Sequence, residues 1–152
     1  MAGNEVFQAA LHLLKVRERT EQELEQRLRR KGFELPTIRG AIDRCRELGY
    51  VSDERFARNR ARQLLTGGRA VGFRLRRELL AAGIDESLAD AVIQELETEF
   101  DGEALLEQVL RQRFPAFDYR RAEDREKRRV VHYFLRRGFP LQAVLNRLKH
   151  PD

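Results

Sequence analysis

Three glycines constrain the fold of this chain more than any other feature of its sequence. Gly83 lies 51 residues after Gly32, and Gly138 lies 55 residues after Gly83. Each glycine has apolar residues eight and four positions before it and a large apolar residue directly after it. These are Leu24, Leu28 and Phe33, then Leu75, Leu79 and Ile84, then Val130, Phe134 and Phe139. The pattern predicts an apolar helix face that ends at a glycine, repeated three times.

Helical periodicity in the rest of the chain predicts an all-α fold. Phe7, Ala10 and Leu14 share one helix face, and Thr20 with Glu23 forms a capping box at the start of another helix. No segment alternates apolar and polar residues as a half-buried strand does. The predicted helices span roughly 4–17, 20–31, 35–48, 52–66, 70–82, 85–99, 101–114, 119–137 and 140–149.

The repeat groups these nine helices into three units of three helices each. We place the units at residues 1–49, 50–99 and 100–152. Units of this kind bury their apolar faces mainly on their neighbours, so we expect an elongated array.

Charge is segregated along the chain, which carries a net charge of +5. Residues 55–77 include eight arginines and no acid, whereas residues 78–110 include ten acids and no Lys or Arg. The arginines predict a surface for phosphates or for an acidic protein face, the alternative being a solvated face paired with acids of other helices. The candidate binding residues are Arg55, Arg58, Arg62, Arg69, Arg74, Arg76 and Arg77, with Arg136 and Arg137 in the third unit.

The sequence offers no catalytic or metal-binding constellation. Cys45 is the single cysteine, and His12, His132 and His150 fall in different units without further ligands nearby. We therefore expect no enzyme activity, no cofactor and no metal. Apolar runs are too short to cross a bilayer, so we expect a cytoplasmic protein. We also expect a monomer.

Aromatic residues divide into two predicted groups. Phe73, like most of the phenylalanines, is assigned to a helical core stripe. Phe114 and Phe117, which flank Pro115, are the better candidates for exposed contacts.

The segment Gly-Tyr-Val-Ser-Asp-Glu-Arg-Phe-Ala at 49–57 resembles the signature of the RecX family, bacterial regulators of the RecA recombinase. The resemblance extends in order from Ala10 through Lys31-Gly32-Phe33 and Gly83-Ile84 to Gly138-Phe139, which is nearly the whole chain. It implies a non-enzymatic protein that binds the RecA–DNA filament and suppresses filament growth, ATP hydrolysis and strand exchange. Three-helix repeats are also a property of that family.

Within the signature we expect structural roles. Tyr50 is expected to pack a junction between units, and Ser52 and Asp53 to cap the fourth helix. Phe56 is expected to anchor that helix to its neighbours. Together with Gly49 and the three repeat glycines, these residues mark the family without marking a binding site.

Two other functions remain open. Helices two and three, joined at Gly32, resemble a helix-turn-helix pair, so the chain could bind DNA directly, single- or double-stranded. The second helix of that pair mixes arginines with Asp43 and Glu47, which weakens this alternative. A helical scaffold for some other acidic protein is the third reading.

Overall fold

In the computed structural model, which describes residues 2–151, the predicted all-α fold is confirmed. The described residues form nine helices and no strand. The helices are α1 (Ala2–Val16), α2 (Glu21–Arg30), α3 (Leu35–Glu47), α4 (Asp53–Thr66), α5 (Gly72–Ala81), α6 (Glu86–Glu97), α7 (Gly102–Arg113), α8 (Asp124–Arg136) and α9 (Leu141–Lys149). None of these helices combines the length and apolar character that a membrane span requires.

Caps and glycines set the helix ends where the sequence predicts them. The Thr20 hydroxyl accepts a hydrogen bond from the Glu23 N–H at 3.1 Å and begins α2. Gly32, Gly83 and Gly138 follow the ends of α2, α5 and α8 with φ of +96°, +98° and +95°. This left-handed backbone lets the chain reverse after each helix.

The chain forms two compact units. The first comprises Met1–Asn59 with Leu79–Ala89, and the second comprises Arg60–Glu78 with Asp90–Asp152. Their boundaries fall inside α4, α5 and α6. The division into three units at 1–49, 50–99 and 100–152 stays a prediction.

The core of the first unit joins one face each of α1, α2 and α3. Its buried residues are Val6, Phe7, Ala10, Leu13, Leu24, Leu28, Ile38, Ala41, Ile42, Cys45 and Val51. Cys45 is a free, buried cysteine and packs in this core as a small apolar side chain. Its burial raises the pKa of the thiol above the ordinary value of 9.0, which disfavours the reactive thiolate.

Aromatic packing dominates part of the second unit. Phe134 is completely buried, and the ring of Phe139 lies 5.5 Å from it in an edge-to-face arrangement. Phe114 packs edge-on against Tyr133 at 5.0 Å. Phe114 and Phe117 are both half-buried and line one pocket, so the prediction that they make exposed contacts stays a prediction.

The family signature caps two helices. The Ser52 hydroxyl accepts a hydrogen bond from the Arg55 N–H at 3.1 Å, as expected for a cap of α4. Asp53, by contrast, accepts the N–H of Glu21 at 2.8 Å and so caps the start of α2. Its predicted role as a cap of α4 is wrong, because its carboxylate lies beside an earlier helix. Tyr50 is 49% exposed, so only part of its ring is available for packing.

Candidate functional site

An arginine-lined groove in the second unit brings together most of the predicted binding residues. The groove has a volume of about 510 Å³. Its charged lining consists of Arg60, Arg69, Arg74, Arg77, Arg136, Arg137 and a single acid, Glu78. Five of these six arginines were singled out from the sequence, and Arg60 is added by the structure.

A close backbone contact holds the two walls of the groove together. The Val71 N–H, just before α5, donates a hydrogen bond to the Arg137 carbonyl at 2.8 Å. Next to it, Gly138 sits directly over the Val71 carbonyl. A Cβ at position 138 would lie 2.0 Å from that oxygen, so only glycine permits the approach. The third repeat glycine therefore ends α8 and also permits the close approach between the end of α8 and the start of α5.

Among the described residues, only one of the six groove arginines has a carboxylate partner. Arg74 pairs with Glu78 at 2.9 Å, Arg60 donates to the Gln63 side chain, and Arg137 lies over the Tyr133 ring. Arg69, Arg77 and Arg136 make no ion pair with any residue that the structure describes. Arginines gathered without acids repel one another, so the groove favours an anionic ligand.

The start of α5 adds to this positive potential. Arg74 lies in the first turn of α5, and this turn contains no acid. A cation at a helix N-terminus is disfavoured by about 0.3–1 kcal/mol, because the exposed N–H groups there carry partial positive charge. A bound anion would relieve that repulsion.

The remaining predicted arginines, in contrast, face carboxylates. On α4, Arg55 pairs with Glu18 at 3.2 Å, Arg58 with Glu54 at 3.3 Å and Arg62 with Glu99 at 3.3 Å. On α5, Arg76 pairs with Asp90 at 2.7 Å. These contacts match the alternative that the sequence left open, in which the arginines form a solvated, paired face.

Comparison with known proteins agrees with the helical repeat. Residues 7–45 match the family description "RecX, first three-helix domain", and residues 52–93 match "RecX, second three-helix domain". Together these matches cover more than half of the chain. The chain belongs to the RecX family.

Full-length relatives support the same assignment. The chain is 48% identical to "Regulatory protein RecX" of Syntrophotalea carbinolica over 93% of its own length and 92% of that protein. It is 30% identical to the protein of the same name from Trichlorobacter lovleyi over 90% and 88% of the two chains. The crystal structure of RecX from Lactobacillus salivarius has a TM-score of 0.76 at 20% identity and covers 97% of both chains, which confirms the fold.

Besides Arg60, the groove contains an aromatic residue that the sequence of this RecX-family chain did not predict there. Phe73 was assigned to a core stripe, yet it is 60% exposed and lines the groove among the arginines. The signal was present, since Val71, Leu75 and Leu79 are spaced by four and are all buried. Phe73 lies two residues from Val71 and Leu75, which is the opposite side of a helix. The core assignment is therefore wrong.

The helix-turn-helix alternative loses support from α3, its reading helix. Arg46 is held by Glu21 at 2.5 Å and by Asp43 at 3.0 Å, and these hydrogen bonds raise its pKa further above the ordinary value. Arg44 lies over the Phe7 ring at 3.9 Å. A helix whose arginines are engaged within the protein is poorly prepared to read bases.

Proposed function

We propose that this RecX-family protein binds the RecA–DNA filament and lowers its growth, ATP hydrolysis and strand exchange without catalysing a reaction itself. Membership of a family of regulatory proteins supports the class of function. The observation that carries the proposal is the groove in the second unit, where unpaired arginines surround an exposed phenylalanine.

The charge of the groove suits the phosphates of the filament's DNA. Arg69, Arg77 and Arg136 have no ion-pair partner among residues 2–151, so contact with a phosphate breaks no ion pair seen in that range. Guanidinium groups bind phosphate with two parallel hydrogen bonds. Three such contacts would lower the logarithm of the binding constant by about 2–3 for each tenfold rise in salt.

Phe73 adds a feature that phosphate binding alone does not need. An exposed aromatic ring among arginines offers a face on which an unpaired base can stack, which contributes about 1–3 kcal/mol of binding free energy per base. A duplex hides its base faces, so the ring favours strands that are open. This observation also supports the second candidate function, direct binding of free single-stranded DNA.

The test compares two charge-reversed variants with the same change in net charge. In the groove variant, Arg69, Arg77 and Arg136 are replaced by Glu. In the helix variant, the paired residues Arg55, Arg58 and Arg62 are replaced by Glu. We expect the groove variant to lose at least tenfold in cosedimentation with RecA filaments, because repulsion replaces three charge-assisted contacts.

The helix variant serves as the matched control and should bind within about threefold of wild type, because its three arginines lie outside the groove. The loss of their exposed ion pairs costs only about 0.2–1 kcal/mol of folding stability each. Circular dichroism verifies that both variants are folded. If the helix variant loses binding and the groove variant retains it, the contact lies on α4 and the groove assignment is wrong. Equal binding of naked DNA and filaments would favour the second candidate function.

A further inference from the structure

A second concave site in the same unit has the opposite chemistry to the arginine groove. It is a pocket of about 470 Å³ between α5, α7 and the residues that follow α8. Its floor is apolar and includes Leu75, Leu105, Leu106 and Phe139. A cavity of this size accommodates one or two large apolar side chains of another molecule.

Acidic side chains surround the opening of this pocket. Glu97, Asp101 and Glu103 line it and are exposed, and no Lys or Arg lines it. Asp101 accepts the N–H of Glu103 at 3.0 Å and so caps α7. Glu97 and Glu103 form no ion pair among the described residues. The two carboxylates therefore remain available for a cationic partner.

We propose that this pocket binds a segment of a partner protein in which an apolar side chain is flanked by Lys or Arg. The floor would bury the apolar side chain, and the acids at the rim would pair with the flanking cations. Both a nucleic-acid backbone and an acidic peptide would be repelled by the same rim. The negative charge of the rim thus favours cationic protein segments, whereas the apolar floor alone would bind any exposed apolar side chain.

Helix α5 separates this pocket from the arginine groove. Val71, Gly72 and Leu75 line the pocket, whereas Phe73, Arg74 and Arg77 line the groove. One helix of the second unit thus presents an apolar, acid-rimmed site on one side and a basic site on the other. A protein segment and a nucleic acid could be held at the same time without competing for the same residues.

The experiment uses a synthetic peptide, Lys-Lys-Leu-Ala-Ala-Leu-Lys-Lys, and the full chain without RecA or DNA. Its outcome is therefore independent of the proposed regulatory function. Binding is followed by NMR of the Leu and Val methyl groups. We expect saturable shifts of the Leu75, Leu105 and Leu106 methyls. A peptide with Glu in place of Lys, and one with Ser in place of Leu, should each bind at least tenfold more weakly.

Two double variants locate the contact. Glu97→Lys with Glu103→Lys should weaken binding at least tenfold. Glu123→Lys with Glu126→Lys changes the charge equally at exposed positions near the start of α8 and should stay within twofold of wild type. The methyl spectrum of each variant verifies its fold.

Three results would overturn the proposal. The first is the absence of shifts at the pocket methyls at millimolar peptide. The second is equal binding of the Ser-containing peptide, which would mean a general electrostatic attraction. The third is a change in the chemical shifts of the pocket methyls when the protein alone, without peptide, is concentrated. This would mean that a second copy of this chain occupies the pocket.

Discussion

The three repeat glycines allow a stability experiment in which the backbone conformation is constant and only the surroundings differ. Gly32, Gly83 and Gly138 have φ values within three degrees of one another. In this region an alanine costs about 1–2 kcal/mol of unfolding free energy, because its Cβ crowds the adjacent backbone. Any difference among the three Gly→Ala variants must therefore come from the space around each residue.

That space differs in a graded way. A Cβ at position 32 meets no atom within 4 Å, whereas at position 83 it lies 2.5 Å from Oε1 of the exposed Gln22 side chain. At position 138 it lies 2.0 Å from the Val71 carbonyl oxygen, a backbone atom that cannot rotate away. Overpacking adds about 1–3 kcal/mol. We expect losses of about 1–2, 2–3 and 3–5 kcal/mol for Gly32→Ala, Gly83→Ala and Gly138→Ala.

Urea unfolding followed by circular dichroism measures the three losses. Hydrogen exchange read by mass spectrometry assigns each loss to the helices beside the substituted glycine. Gly138→Ala should also weaken filament binding, since it forces apart the two walls of the groove. Equal losses at the three positions would refute the reasoning, because the steric difference would then have no energetic consequence.

Two further predictions concern Asp53 and Phe73. Burial raises the pKa of Asp53 above its ordinary 3.8. The folded protein therefore holds the Asp53 proton more tightly than the unfolded chain does. This proton stabilises the folded protein fully below the unfolded pKa of Asp53, and the stabilisation is lost as the pH rises through the folded pKa. The urea midpoint of wild type minus that of Asp53→Asn should fall as the pH rises from about 4 to 7, because the variant lacks this one titrating group. The chain has no tryptophan, so Phe73→Trp gives a single fluorophore in the groove. Single-stranded oligonucleotide should quench it strongly and a duplex weakly, and equal quenching would contradict base stacking.

Local rules were sufficient to predict the fold. The apolar residues at fixed distances from Gly32, Gly83 and Gly138 predict three helix ends. A helix that packs on a core has an apolar stripe, and it commonly ends at a glycine in the left-handed conformation. The capping role of Thr20 was also predictable, since its partner Glu23 lies three residues away. The capping role of Asp53 was not predictable, because its carboxylate accepts the N–H of Glu21, far earlier in the sequence.

The groove was only partly predictable for the same reason. Clustered arginines such as Arg74 and Arg77 are visible in the sequence, but their ion pairs depend on distant acids. Nothing local distinguishes Arg62, which faces Glu99, from Arg69, which has no ion-pair partner in the described structure. The contact between Val71 and Arg137 brings Arg136 to the groove, and that pairing is tertiary.

The DNA-dependent ATPase rate of RecA from the same organism tests the central claim most directly. Wild-type protein should lower the rate even at a ratio of one molecule to several RecA subunits, because a molecule that blocks filament growth affects many subunits. The variant with Glu at positions 69, 77 and 136 should leave the rate near its uninhibited value. An unchanged rate with wild-type protein equimolar to RecA would contradict the account.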